Sequence, residues 1–274
     1  MSKLNVLKKL ATGVVAAAAL SLPAVAADNA LWEKSTLNQI VKSGKLRVGL
    51  EAGYLPFEMK DKAGNIVGFD VDMAKLMAKA MGVELELVNT GWDGIIPALL
   101  TDKFDMLMSG MTITAERNLK VNFTDPYIVV GQSVILSKKL AGTVTSYRDL
   151  NNPKYTIASK LGVTGDLVAK RLLSRAKLNL YETEAEGSLE VMNGNADAFI
   201  YDFPYNAIFA AENSKSVVHL SEPFTYEPLG IAIRKGDPDF LNWINNFLRQ
   251  IKGDGTYDRI YAKWFESDRW KKRL

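Results

Sequence analysis

Short apolar strands alternate with amphipathic helices along nearly the whole chain, and this alternation restricts the fold more than any other feature. Residues 46–50 read as a strand. Asp70 reads as a helix N-cap, followed by Met73, Ala74, Met77, Ala78 and Met81 at helical spacing, with Gly82 closing the helix. Residues 84–88 alternate, with Val83, Leu85 and Leu87 inward and Glu84 and Glu86 outward. Asp93 reads as the cap of a short helix with Pro97 near its start, and residues 104–108 as a strand. The second half repeats the theme. Strands are expected at 155–158, 178–181 and 197–201, and helices at 165–174, 184–192 and 204–211. Residues 238–265 read as largely helical. Such alternation implies parallel sheets covered by helices. The spacing fits two α/β lobes of roughly 100 residues each, although no internal sequence repeat is visible.

The first 26 residues are set apart. Lys3, Lys8 and Lys9 precede an apolar run from Leu10 to Leu22, and Ala24-Val25-Ala26 offers small residues for cleavage. This is the pattern of a secretory signal peptide. The run is well short of the roughly 20 residues of a spanning helix. Cleavage after Ala26 takes three of the 34 lysines and arginines and none of the 31 acids, leaving a net charge of zero. A basic nucleic-acid footprint is therefore not expected. The chain has no cysteine, so disulfides, thiolate metal sites and cysteine nucleophiles are excluded. Its one histidine, His219, reads as a strand residue near the surface and rules out a multi-histidine metal cage.

In open α/β sheets ligands bind beyond the carboxyl ends of the strands, so the residues following each strand are the candidates. Glu51 and Tyr54 follow the first strand, and Trp92 follows the second. Gly110, Met111 and Thr112 lead to Arg117, and Lys160 and Thr164 follow residues 155–158. Asp202 follows residue 201. Thr114 reads as an N-cap, which places Arg117 in a first helical turn. A cation is unfavourable there unless an anion arrives, and a guanidinium binds a carboxylate through two hydrogen bonds. A surface pairing of Arg117 with Glu116 or Asp125 is the alternative. Gly162-Val163-Thr164-Gly165 suits an anion at a helix start or is a plain turn. Asp202 is either an N-cap before Pro204 or an acceptor for a ligand ammonium. Tyr54, Phe57 and Trp92 are either core or walls around a ligand.

These motifs, in order, resemble the periplasmic solute-binding proteins of ABC importers for polar amino acids, family 3. The resemblance rests on residues 44–49, Pro56-Phe57, residues 68–72, residues 92–99, residues 110–114 with Arg117, residues 123–127, Asp197-Ala198 with Asp202, and Gly255-Thr256-Tyr257 before Lys263-Trp264-Phe265. It implies a type II clamshell of two lobes joined by a two-stranded hinge. Lobe 1 is expected at 28–129 and 227–274, and lobe 2 at 130–226. Each would be a mostly parallel sheet flanked by helices. By the same resemblance Arg117 clamps the ligand α-carboxylate, with Thr164 helping. Asp202 holds the α-ammonium, and Thr112 and the Gly110 carbonyl contribute from the first lobe. Tyr54 and Trp92 sandwich the side chain. Val163 and Glu51 depart from the commoner residues at their positions.

The resemblance implies a monomeric periplasmic protein that delivers a free amino acid to a membrane permease, with no cofactor, metal or nucleic acid. Charge matching points to lysine or arginine: Arg117 and Asp202 answer the α-groups, which leaves Glu51 for a cationic side chain. If Lys160 pairs with Glu51 instead, a neutral ligand such as glutamine is favoured. The rival class is an enzyme similar to cyclohexadienyl dehydratase. It would need a general acid in the cleft, for which Glu51 and Lys160 are the unassigned candidates.

Overall fold

The computed structural model describes residues 32–274; the expected signal peptide, 1–26, lies outside them. Two five-stranded sheets form the framework. The first is built from β1 (Lys45–Leu50), β4 (Glu84–Asn89), β5 (Met106–Leu107), β6 (Asn122–Phe123) and β14 (Ala232–Ile233). Its order is β4-β1-β5-β14-β6. The second contains β8 (Gln132–Ser137), β9 (Thr156–Lys160), β10 (Lys177–Tyr181), β11 (Ala198–Asp202) and β12 (Val217–Leu220). Its order is β10-β9-β11-β8-β12. In each sheet four strands point one way, and one strand, β14 or β8, runs against its neighbours. Both sheets thus follow one plan: second, first, third, the reversed strand, fourth. Two smaller ladders pair β2 (Met59–Lys60) with β3 (Ile66–Val67), and β7 (Ile128–Val130) with β13 (Glu227–Leu229). β7 runs straight into β8, and β13 leads to β14, so this second ladder stands where the chain passes between the sheets. The architecture is a two-lobed α/β clamshell.

Helices cover both faces, so the central strands are buried on both sides. In β11 every residue is buried. Ala198 and Ile200 point into one apolar cluster, Phe199 and Tyr201 into another. The first lobe carries α1 (Thr36–Ser43), α2 (Phe69–Met81), α3 (Trp92–Leu100) and α4 (Ala115–Asn118). The second carries α5 (Thr164–Leu172), α6 (Glu184–Asn193) and α7 (Phe203–Glu212). The chain ends with α8 (Pro238–Gly253) and α9 (Thr256–Phe265), and α9 returns to α2. There Phe57, Phe69 and Phe265 meet at centroid distances of 5.2–6.0 Å. Trp264, 2% exposed, donates its indole N–H to Asp72.

The expected elements appear with shifted ends, and three differences have physical reasons. Asp70 is not the N-cap of α2. Gly68 holds that position, and Asp70 is buried in the first turn, where its carboxylate accepts the Gly110 N–H and the Tyr127 hydroxyl. Gly91, not Asp93, caps α3, so Pro97 is the sixth residue of the helix rather than in its first turn. The strand expected over 104–108 shortens to Met106–Leu107; Phe104 fills the space beside Gly49, where a Cβ would lie 2.3 Å from its ring. His219 lies in β12, half-buried, with its ring nitrogen on the Ser133 hydroxyl.

Candidate functional site

The carboxyl ends of β1, β4 and β5 face those of β9, β10 and β11 across a crevice, as a shared chain direction requires. The crevice narrows to a small cavity with about 20 Å³ of free space. Glu51, Tyr54, Trp92, Gly110, Thr112 and Arg117 line it from the first lobe, and Thr164 and Asp202 from the second. The lobes touch here. Tyr54 donates its hydroxyl to Asp202 Oδ2 at 2.5 Å, and the Trp92 indole N–H reaches the Gly162 carbonyl at 3.2 Å. Thr112 and Thr164 hydroxyls stand 3.5 Å apart.

Arg117 is held by its own helix start. Thr114 caps α4 by accepting the Arg117 backbone N–H. The guanidinium reaches the Thr112 carbonyl at 2.9 Å and the Gly162 carbonyl at 3.3 Å, and lies 5.3 Å from the centroid of Trp92. The two acids that could have drawn it to the surface are engaged elsewhere: Asp125 with Arg249 at 2.8 Å, and Glu116 with Lys120 at 3.9 Å. Burial holds the Arg117 pKa below its ordinary value. The cation is therefore desolvated beside a cavity with no carboxylate within ion-pair distance among the described residues, which favours an incoming anion.

Asp202 ends β11 opposite Gln132, the first residue of β8. Its carboxylate does not cap α7. It accepts the Tyr54 hydroxyl and the Gln132 amide instead. Burial raises its pKa to about 7, with the Tyr54 hydrogen bond opposing and Glu227 adding to the rise. Gln132 also donates to Thr164 at 3.2 Å, so one amide ties both residues to the second sheet.

Glu51 and Lys160 do meet. The Lys160 ammonium donates to Glu51 Oε2 and also to Glu184 Oε2, the latter at 3.0 Å. Lys160 is 2% exposed and Glu184 3%. Burial opposes the lysine charge, yet Glu184 and Glu51 leave its pKa above the ordinary value. The other oxygen of Glu51 accepts the Trp92 backbone N–H at 3.2 Å, at the positive end of α3. Two carboxylates around one ammonium give this trio a net charge of −1.

At the floor of the cavity, which Glu58 and Ser109 also line, a second acidic group is buried. Glu58 is 0% and Asp70 1% exposed. Glu58 Oε1 accepts the Ser109 hydroxyl at 2.6 Å, and Ser109 in turn accepts the Glu51 N–H at 3.0 Å. Burial, then the neighbouring Asp70 charge, lifts the Glu58 pKa well above the carboxylate range; burial raises Asp70 to about 7.

Of the sequence candidates, Phe57, Met111 and Lys160 stand back from the cavity, and Phe57 is core, 0% exposed against Phe69 and Phe265. Met111 is 1% exposed, packed with Ile95, Leu99 and Phe104 beneath the Gly110 turn. Lys160 acts through its carboxylate partners. Reasoning from sequence passed over Glu58, Gln132 and Glu184. Glu184 follows β10, so the strand-end rule applied to that strand finds it. Gln132 begins the reversed strand, and its place at the crevice depends on topology. Glu58 follows a turn and carries no signal.

Comparison with known proteins agrees with this geometry. The sequence profile described as bacterial extracellular solute-binding proteins, family 3, matches residues 46–267. A putative ABC transporter binding component from Wolinella succinogenes, crystallised with lysine, is 60% identical, with TM-score 0.81, over 84% of this chain and 99% of that one. An ancestral amino acid-binding protein described as a precursor of cyclohexadienyl dehydratase is 52% identical, with TM-score 0.80, over 84% of this chain and 100% of that one. A probable histidine-binding protein of Neisseria gonorrhoeae is 34% identical over 96% of this chain and 97% of its own length.

Proposed function

The chain belongs to the bacterial extracellular solute-binding proteins of family 3, an amino acid-binding component of an ABC transporter, and on that premise we propose that its ligand is a cationic amino acid, lysine or arginine. The observation that carries this reading is the Glu51–Lys160–Glu184 trio. Lys160 alone beside Glu51 would favour a neutral side chain. Glu184 takes up that positive charge, so the crevice keeps one negative charge beyond what Arg117 and Asp202 use on the two α-groups. A ligand ammonium or guanidinium answers it, and the Trp92 face favours the same cation. The lysine in the Wolinella relative supports the same reading.

In this reading Arg117 clamps the α-carboxylate with Thr164 and Thr112, and Asp202 with the Gly110 carbonyl holds the α-ammonium. Glu51 faces the side chain between Tyr54 and Trp92. Residues 28–129 and 227–274 form one lobe and 130–226 the other, closing about the β7–β13 ladder. The protein acts as a monomer in the periplasm after loss of residues 1–26, and hands its ligand to a membrane permease. It is a binding protein rather than an enzyme, because Glu51 and Lys160 are spent on each other and on Glu184 instead of being free to protonate a leaving group.

A thermal-shift screen of the twenty amino acids tests both points. A ligand that binds only the folded state raises the melting temperature. The largest shifts are expected with lysine and arginine, and incubation with prephenate is expected to yield no product. A shift with glutamine and none with any cationic amino acid would overturn the specificity.

Affinity should also fall in acid. A bound ammonium stabilises ionised Asp202, whose pKa in the empty protein is about 7. Below that value binding must expel a proton, so affinity should drop by up to about tenfold per pH unit. Calorimetry in two buffers of different ionisation enthalpy should detect proton release at pH 6 and little at pH 8.5. An affinity constant from pH 8 to 5.5 would remove Asp202 from the ammonium site.

A further inference from the structure

We infer that Glu58 and Asp70 hold a single proton between them, and that this carboxyl–carboxylate pair is the positioning element beneath the ligand site, fixing the Gly110 turn and the Glu51 backbone. Each carboxyl spends one oxygen on the site. Glu58 Oε1 takes the Ser109 hydroxyl, and Ser109 takes the Glu51 N–H. Asp70 Oδ2 takes the Gly110 N–H at 3.0 Å and the Tyr127 hydroxyl at 2.9 Å. The remaining oxygens, Glu58 Oε2 and Asp70 Oδ1, are buried and meet no donor among the described residues. Two orphaned acceptors in one enclosed space are costly. The two side chains lie side by side: they hold the consecutive residues Ser109 and Gly110, and the Asp70 N–H donates to the carbonyl of Phe57, the residue before Glu58, at 3.0 Å. One proton on Glu58 Oε2, donated to Asp70 Oδ1, satisfies both orphans and removes one of two adjacent buried charges.

The surroundings select this arrangement. Tyr127 reaches the pair from the segment before β7 and Ser109 from the end of β5, while Tyr201 on β11 and Tyr257 on α9 are near enough to feel its charge. The charge facing it from beyond is that of Glu184 on α6, which Lys160 joins to Glu51. No cation touches the pair among the described residues, so a proton is the group that can neutralise it. Burial favours the protonated form of both carboxyls. Gly110 has φ +53° and lies under the Tyr54 ring, where a Cβ would stand 2.3 Å from a ring carbon. The hydrogen bond from its N–H to Asp70 therefore orients a peptide that has little other support.

The folded state keeps protons that the unfolded chain, with carboxyl pKa values near 4, releases. Stability should thus decline as pH rises from about 5 to 8, because the native state binds more protons over that range. Glu58→Gln imitates the protonated acid: its amide N–H reaches Asp70, and its carbonyl accepts from Ser109. Asp70→Asn reverses the roles and leaves Glu58 as the single anion. The double variant sets amide against amide and loses the match.

The experiment measures thermal unfolding of the full chain and of Glu58→Gln, Asp70→Asn and the double variant from pH 5 to 9, with lysine affinity by calorimetry at pH 7.5. Each single amide is expected to fold, and Glu58→Gln to flatten the decline in melting temperature with pH. The double variant should lose more than the two single changes together. A parent-like pH slope in Glu58→Gln, or additive losses in the double variant, would overturn the shared proton. For positioning, Glu58→Gln should bind lysine within about threefold of the parent and Glu58→Ala about tenfold or more weakly. Should Glu58→Ala fail to fold, Glu58→Asp at the same pH replaces it; parent-like affinity in the shortened acid would overturn the positioning role. The ligand arm rests on the amino acid-binding reading. If none of the twenty amino acids binds the parent, that reading fails while the unfolding arms still decide the proton pair.

Discussion

Replacing Arg117 by alanine should weaken amino acid binding by roughly 2–5 kcal/mol, between about 30-fold and several thousand-fold. The size follows from where the guanidinium stands. Among the described residues it makes no ion pair, and it rests on two backbone carbonyls, Thr112 from the first lobe and Gly162 from the second. A ligand carboxylate would be its sole anionic partner, desolvated on closure, and truncation would leave that carboxylate buried without a cation. Arg117→Lys should recover only part of the loss, since an ammonium lacks the planar fork. Calorimetry with lysine measures both, and a melting temperature near that of the parent would confirm that the fold survives. Near-parent affinity in Arg117→Ala would reject the clamp.

The largest effect on stability is expected from Gly68→Val. Gly68 caps α2 with φ +149°, and a Cβ there would stand 2.0 Å from the Phe57 carbonyl oxygen and 2.9 Å from the Glu58 Cα. Both obstacles are backbone, so no side chain can swing aside. Relief requires α2 and the 54–59 turn to separate, which breaks the contacts of Phe57 with Phe69 and Phe265. A loss of about 4 kcal/mol or more is expected, in the range where single substitutions unfold marginal domains. Chemical denaturation measures it. A loss below about 1 kcal/mol would mean that the turn yields more readily than its packing indicates.

The two effects differ in how visible their causes were. Arg117 could be singled out because a cation in a first helical turn breaks a local rule, and rule-breaking residues mark sites. Asp202 and Glu51 could be found because strand ends are recognisable and ligands gather there. Gly68 was legible only as part of a motif, since a close backbone approach between residues 57 and 68 is not a property of either segment alone. Gln132 stayed hidden for a related reason. A residue that begins a strand faces the crevice only if that strand runs against its neighbours, and direction is set by the sheet. Asp70 misled for the opposite reason: a polar residue before an apolar stripe has the local pattern of a cap, while its carboxylate serves Gly110 and Tyr127. Ion pairs were half legible. Lys160 and Glu51 could be foreseen as partners, but the sign of the crevice depended on Glu184, a third residue from a third strand end.

The reversed strands also set a timetable. All five strands of the second sheet lie between residues 132 and 220, so that half of the molecule can assemble from one unbroken stretch of chain. The first sheet cannot. Its fourth place, between β5 and β6, belongs to β14 at residues 232–233, and until that segment emerges β6 has no neighbour. A chain made from its N-terminus therefore offers the first half of its sequence early and completes the corresponding lobe last, after the intervening lobe can already stand. Such long-range closure is slow. It leaves the edges of β5 and β6 open to other binders throughout synthesis, the interval in which a partly made chain is easiest to keep unfolded and also easiest to lose to aggregation.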